Sequence, residues 1–517
     1  MGSTFAVSPA RAWCGERGAR GGGEPGERGE RGDRPHRLSE LLALAGELGP
    51  AELHGDVVVA GITHDSRRVR PGSAFIAIRG ERDDGHRHAA AAVRSGASAV
   101  IVERLVDVAV PQLVVGSTVV AIGPLSAALS GYPSRAVPVV GVTGTDGKTT
   151  TCELLRSCIE HAGGTAGQIG TIYNRFGRHV EPATLTTPQA PDLQELLDRM
   201  RRSGVEAVAM EVSSHALDQH RVDGTEFELG VFTNMSPEHL DYHGTVEHYW
   251  ASKARLFEPE RCRRAVIGVD DEWGRRLASQ VRVPSLTFGR SATADVQVVV
   301  GAGDLSGLPV ELVGPGERVR IHTRLVGAVN AGNVAAAYLA ARALGISQDD
   351  AVEGIESCPL PAGRFEVIDL GQPYLVVVDY AHTPVAITAL VETGRQLAGP
   401  GGRVLMVAGA RGGRDRFKRP AVGRAVAGAD QVFLTTDSPG DEDPLAIIEQ
   451  LRLGAMEVPG ASVEVEVDRV AAIESAISQA RPGDVVFIVG RGHETVRHIA
   501  GREEHLDDRE AARRAVR

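Results

Sequence analysis

Chemistry is most legible in the stretch Gly141-Val142-Thr143-Gly144-Thr145-Asp146-Gly147-Lys148-Thr149-Thr150. Glycines at 144 and 147 let consecutive backbone N–H groups turn toward one point, a lysine supplies a mobile cation, and a hydroxyl follows it. That equipment suits ATP with Mg²⁺. Lys148 would reach the β/γ-phosphates and Thr149 the ion, while Gly144, Thr145, Asp146, Gly147 and Thr150 surround the phosphate oxygens. The spacing is a variant, because the strict phosphate-loop pattern puts glycine where Val142 stands. A tight turn ahead of a buried helix would account for the glycines alone, but not for Gly-Lys-Thr-Thr directly behind an apolar strand.

Such a loop needs a strand before it and a helix after it. Val137-Pro138-Val139-Val140-Gly141-Val142 is a β-branched run that reads as a buried strand, and apolar residues at helical spacing continue to Ile159, closed by Gly163-Gly164. Further strands are expected at 207–210, 229–232 and 265–269, alternating with helices, which gives a mostly parallel, doubly wound sheet. Glu211 and His239 follow two of these strands, where parallel strands deliver their C-terminal ends. With the Thr149 hydroxyl they read as a Mg²⁺ shell, although that ion prefers oxygen. On their own, His239 and His243 at i, i+4 read as structural histidines and Lys253 as a solvated helix lysine.

The rest of the 517 residues sets the frame. Residues 1–36 are rich in Gly, Arg and Glu and predict a disordered tail. Short apolar runs over 37–136 predict a small α/β domain. The central nucleotide domain spans 137–359, and four strand-like runs at 375–379, 404–408, 431–434 and 485–489 predict a Rossmann-like domain over 360–517. The fold class is therefore α/β in three domains. A net charge of −11 gives no general attraction to nucleic acid or anionic lipid. No apolar run approaches the ~20 residues that cross a bilayer. Five scattered cysteines without Cys-x-x-Cys spacing predict reduced thiols in a cytoplasmic protein.

The loop resembles the ATP loop of the Mur ligases, and further strips extend the likeness from about residue 37 to the C-terminus. His64-Asp65-Ser66-Arg67-Arg68 resembles the uridine-diphosphate end of the tripeptide-synthetase, or MurE, type. Thr186-Thr187-Pro188, Glu211-Val212-Ser213-Ser214-His215, the strip at 234–244, Gly363-Arg364-Phe365-Glu366 and Asp379-Tyr380-Ala381-His382-Thr383-Pro384 continue it. The resemblance implies a cytoplasmic monomer serving peptidoglycan precursor synthesis, with UDP-N-acetylmuramoyl-L-alanyl-D-glutamate and a free amino acid as partners, and no nucleic acid and no membrane. ATP would phosphorylate the D-glutamate carboxylate and an amine would attack the acyl phosphate.

The resemblance also implies residue roles. Ser66, Thr186, Thr187, Ser213, Gln219 and Arg221 would hold the UDP-muramoyl dipeptide. Lys253 matches a carbamylated lysine that joins Thr149, Glu211 and His239 at the metal, and Lys148, Lys253, Glu211 and His239 form the catalytic set. Asn330, by itself an N-cap candidate together with Asn333, would contact the adenine side. Arg364, Asp379 and His382 would swing toward ATP as the third domain closes. Arg414, Asp437, Ser438, Gly440, Gly490 and Glu494 would select the amino acid. Here the chain departs from the pattern: the diaminopimelate type carries Asp-Asn-Pro-Arg, but Asp437-Ser438-Pro439-Gly440 lacks the arginine. Gly-Cys-Gly-Gly-Asp-Arg-Asp stands as Gly409-Ala410-Arg411-Gly412-Gly413-Arg414-Asp415. Lysine, another diamino acid, or diaminopimelate held through Arg411 all fit. A MurE-like paralogue with a different substrate, a folylpolyglutamate- or cyanophycin-type ligase, and a non-catalytic nucleotide-binding paralogue are the rivals.

Overall fold

The computed structural model describes residues 35–517 apart from residues 47, 81 and 82. The expected tail therefore lies almost wholly outside the described residues, although His36 itself pairs with Val59 in a short antiparallel ladder. Three sheets follow in chain order. The first runs Ala51–His54, Gln112–Val115, Ala99–Val102, Ser73–Ile76, Gly61–Thr63, parallel except for its first strand. Among the described residues no helix is long and apolar enough to cross a membrane.

The central sheet has eleven strands. Its parallel middle places Val139–Thr143 between Ala207–Glu211 and Leu229–Phe232. Every residue of these three strands is buried, as continuous apolar runs in a doubly covered sheet require. Both edges are antiparallel, which the sequence reading did not anticipate. Tyr173–Phe176 and His179–Pro182 form one hairpin, and Leu308–Gly314 with Glu317–Thr323 the other.

Helix Lys148–His161 follows the phosphate loop and is buried from Thr149 to Ile159. Two other helices, Asn330–Ala343 and Gln348–Glu356, cover it. Alanines along the first, and Gly354 in the second, allow close packing: a Cβ on Gly354 would lie 2.6 Å from the Cys158 Cα. This sandwich fixes the loop from behind, because a helix without a solvated face cannot rock.

The third sheet runs Glu366–Val367, Leu375–Asp379, Val485–Val489, Val404–Ala408, Gln431–Leu434, Val463–Val465, parallel after its first strand. Helices cover both faces, with Ile387, Val422 and Leu451 in one core and Ile473, Ile477 and Ala512 in the other. This domain is docked on the phosphate loop. Thr383 Oγ1 donates to Asp146 Oδ2 at 3.2 Å, and the Leu240 N–H donates to Asp415 Oδ2 at 3.3 Å.

Candidate functional site

The loop is built for an anion. Gly144 and Gly147 adopt φ of 152° and 87°, and a Cβ on them would lie 2.0 Å from Thr233 Oγ1 and 2.1 Å from Asn333 Oδ1, so both positions require glycine. Helix Lys148–His161 starts with no side-chain cap, leaving its first N–H groups to a ligand. Lys148 Nζ folds back onto the Gly144 and Thr145 carbonyls, at 2.9 Å each. Across the cleft Arg364 lies over the Tyr380 ring at 4.5 Å, and its buried Nε has no partner. A phosphate oxygen would satisfy that nitrogen.

Glu211 ends its strand 1% exposed. It accepts from Thr149 Oγ1 at 3.0 Å, from the Thr171 N–H at 2.9 Å and from Thr171 Oγ1 at 3.0 Å. Hydroxyl and carboxylate thus converge as hard oxygens that fit Mg²⁺, at a helix N-terminus that fits the phosphate beside it. His239 lines the same cavity, with a left-handed φ of 57°. Burial holds its imidazole down to about 3, so it is neutral and able to donate a lone pair.

Lys253 is buried behind the loop, with Nζ donating to the Gly144 carbonyl at 2.8 Å and lying over the Tyr249 ring at 4.4 Å. Burial first, then the Lys148 charge, hold its amine well below the usual lysine range. As an amine it is a donor, so the ligand role expected for it requires conversion of the nitrogen to a carboxylate-like group.

One cavity of about 760 Å³ runs from Lys148, Thr149 and Glu211 past Thr186, Ser213 and Arg221 to Arg414, Asp437, Ser438, Gly490 and Glu494 in the third domain. Arg364 and His382 also line it. His382 Nε2 sits 3.0 Å from Glu238 Oε1, and Lys418 Nζ donates to that same oxygen at 3.1 Å. Glu238 is buried, yet the Lys418 charge and the His382 hydrogen bond outweigh burial and hold its carboxyl well below the usual range.

Several expected site residues do other work. Both carboxylate oxygens of Asp379 accept backbone N–H groups, from Phe365 at 2.6 Å and Ala381 at 2.7 Å, so it shapes the turn carrying Arg364 and does not line the cavity. Thr187 is buried and ties the Glu211 carbonyl, at 2.9 Å, to the Ser213 N–H, at 3.0 Å. Gln219 is held by Arg221 and Tyr242. Ser66 stands in the short turn Ser66–Arg68, outside the cavity, beside the Arg68–Asp192 pair that joins the first two domains at 2.6 Å. Asn330 is no cap: it is the first helical residue, and its amide donates to the Val326 carbonyl at 2.8 Å. Gly440 turns away into a contact with the Val496–Ile499 strand, and Ser438 Oγ accepts from the His498 N–H at 2.8 Å. Asp437 Oδ1 faces the fully buried Arg491 at 3.3 Å.

The sequence reading missed Thr171, His215, Glu238 and Lys418. His215 and Glu238 lie inside strips already singled out, and two histidines meet His215 edge-to-face with ring centroids 4.8 Å (His239) and 5.3 Å (His243) away. Thr171 and Lys418 carry no local signal, because each reaches the site through a loop. His243 is structural: its ring nitrogens face Ser214 Oγ at 3.0 Å and Ser252 Oγ at 3.4 Å.

Comparison with known proteins agrees with this geometry. Family models match in three successive stretches: "Mur ligase family, catalytic domain" over 58–139, "Mur ligase middle domain" over 142–341 and "Mur ligase, glutamate ligase domain" over 363–492. A Streptomyces coelicolor protein named UDP-N-acetylmuramoyl-L-alanyl-D-glutamate–2,6-diaminopimelate ligase is 42% identical over 92% of this chain and 96% of its own. A protein of the same name from Aquifex aeolicus is 40% identical over 86% of this chain and 90% of its own. A solved structure of a ligase of that name superposes with a TM-score of 0.63 at 32% identity, covering 89% of this chain and 95% of that one. The Thermotoga maritima MurF ligase in complex with ADP, at 21% identity and a TM-score of 0.60, shares the fold. With these similarities spanning all three domains, and the cavity lying between the central and third, the chain belongs to the Mur ligase family of ATP-dependent carbon–nitrogen ligases.

Proposed function

We propose that the protein joins 2,6-diaminopimelate to the D-glutamate carboxylate of UDP-N-acetylmuramoyl-L-alanyl-D-glutamate in the cytoplasm, using ATP and Mg²⁺. The observation that carries this reading is the continuity of the cavity, which puts a phosphate loop, a middle section with Ser213 and Arg221, and a charged third-domain wall in one space. ATP supplies the phosphoryl group that turns the carboxylate into an acyl phosphate, and Mg²⁺ screens its charge.

The chain's own groups do the positioning. Lys148 and Arg364 balance negative charge from opposite walls. Thr149 and Glu211, with His239 beside them, would hold the metal. Arg221 orients the acceptor carboxylate with a planar fork that Gln219 fixes. Lys253, whose charged form burial and Lys148 disfavour, is suited to combine with CO₂ as the neutral amine: the nitrogen forms a bond to carbon, a proton leaves, and the resulting carbamate could act as a further oxygen ligand. His382, Thr383 and Lys418 hold the third domain against the loop. Phosphate release tests the reading. It is expected only when ATP, Mg²⁺, the UDP-muramoyl dipeptide and diaminopimelate are all present. Equal release without the dipeptide would refute it.

A further inference from the structure

A second group of donor atoms lies outside the ligase cavity, where three short helices of the central domain meet. Asp218 closes helix Ser214–Asp218, His243 closes helix Leu240–His243, and His248 and Ser252 lie one turn apart on helix Val246–Ala254. One carboxylate oxygen of Asp218 and one ring nitrogen of each histidine all fall within 4.8 Å of one another. Asp218 Oδ1 is 3.1 Å from His248 Nε2 and 3.3 Å from Ser252 Oγ, and Ser252 Oγ is 3.4 Å from His243 Nδ1. Donors bonded at about 2.0–2.1 Å to one tetrahedral ion stand about 3.3–3.4 Å apart, so this is the spacing of a coordination shell.

The protons around this group are already committed. His248 Nδ1 faces the His243 carbonyl at 3.0 Å, and a carbonyl only accepts, so that nitrogen carries the ring proton. Nε2 of the neutral ring then turns a lone pair toward the Asp218 carboxylate. Ser252 Oγ gives its one proton to the His248 carbonyl at 2.8 Å, which leaves its lone pairs for the same space. A second proton on His248 would relieve Asp218 alone, whereas a metal ion would serve all four donors. Two of the ligating side chains are also held by their other polar atom, as at metal sites: Asp218 Oδ2 accepts from Tyr242 Oη at 2.8 Å, and His243 Nε2 meets Ser214 Oγ at 3.0 Å. His243 and Ser252 are buried and the His248 side chain is 52% exposed, so one side is open to an entering ion. Two imidazoles with one carboxylate suit Zn²⁺ and not Mg²⁺.

We infer that Asp218 Oδ1, His243 Nδ1 and His248 Nε2, with Ser252 Oγ as the fourth donor, bind one Zn²⁺ that clamps the three helices together. The site shares no residue with the Mg²⁺ set at Thr149, Glu211 and His239, and it does not depend on the ligase reading. Its action on that reaction is positional: Lys253 follows Ser252 directly and His239 directly precedes helix Leu240–His243, so the clamp steadies both.

Calorimetric titration of the untagged full-length chain with Zn²⁺, after chelator treatment and with Mg²⁺ in excess to hold the phosphate-loop site, tests this. The parent is expected to bind one Zn²⁺ per chain. His248→Ala, at an exposed position, and Asp218→Asn, of equal size, are each expected to weaken Zn²⁺ about 100-fold with the circular dichroism spectrum unchanged. A parent without saturable Zn²⁺ binding overturns the inference, and so does a loss of less than about tenfold in either folded variant.

Discussion

Lys253 is a buried amine held against a carbonyl and an aromatic face rather than a carboxylate, and its ordinary charge is suppressed by burial and by Lys148. That environment is a poor place for an ammonium and a good one for a nucleophilic nitrogen. Activity is therefore expected to fall in CO₂-free buffer and to return on adding bicarbonate, whereas indifference to CO₂ would remove the carbamate. Lys253→Arg, which keeps a positive charge but cannot form the carbamate, is expected to lower kcat about 100-fold or more in a phosphate-release assay. Lys148→Ala is expected to lower kcat about 100- to 1,000-fold with the thermal midpoint little changed, because Lys148 bonds only to two loop carbonyls. Loss of folding in that variant would assign the lysine a structural part.

At the scale of elements, the loop's shape depends on glycines that nothing else can replace. Gly147→Ala combines φ of 87° with a Cβ 2.1 Å from Asn333 Oδ1, and about 1–3 kcal/mol of stability is expected to be lost, measurable by denaturant unfolding. The strand–loop–helix unit was readable because each part carries its own signal: a β-branched run, paired glycines before a lysine, then helical spacing. The antiparallel edges were not read, although Val319, Ile321 and Thr323 alternate with Arg318, Arg320 and His322 as a half-buried strand should. Site residues on strand ends, such as Glu211, were legible from sheet geometry. Thr187, Gln219 and Asp379 were assigned to ligands through the family resemblance of their strips, while which atoms face inward depends on turns that no local pattern specifies. Thr171 and Lys418 reach the site only through tertiary structure.

At the scale of the whole molecule, the cavity exists because the central and third domains meet, and charged groups hold the meeting. Glu238 in the central domain takes His382 and Lys418 from the third, so Glu238→Gln is expected to raise KM for ATP about tenfold through looser closure, with thermal stability as the control. Three histidines, His243 buried and His215 and His239 half-buried, set a pH limit. His215 and His243, held down to about 4, and His239, to about 3, are uncharged when folded, whereas the unfolded chain protonates them near 6.5. The unfolded state thus binds more protons below that value. Stability is expected to fall as pH drops from about 6.5 toward 4, and to be flat above, with unfolding midpoints against pH as the check. The central claim is that ATP activates the D-glutamate carboxylate in this cavity before an amine attacks it. Dipeptide substrate labelled with ¹⁸O in that carboxylate tests it directly, by mass spectrometry of the phosphate released as diaminopimelate is joined. Transfer of one labelled oxygen to the phosphate is the predicted result, and unlabelled phosphate alongside the joined product would contradict it.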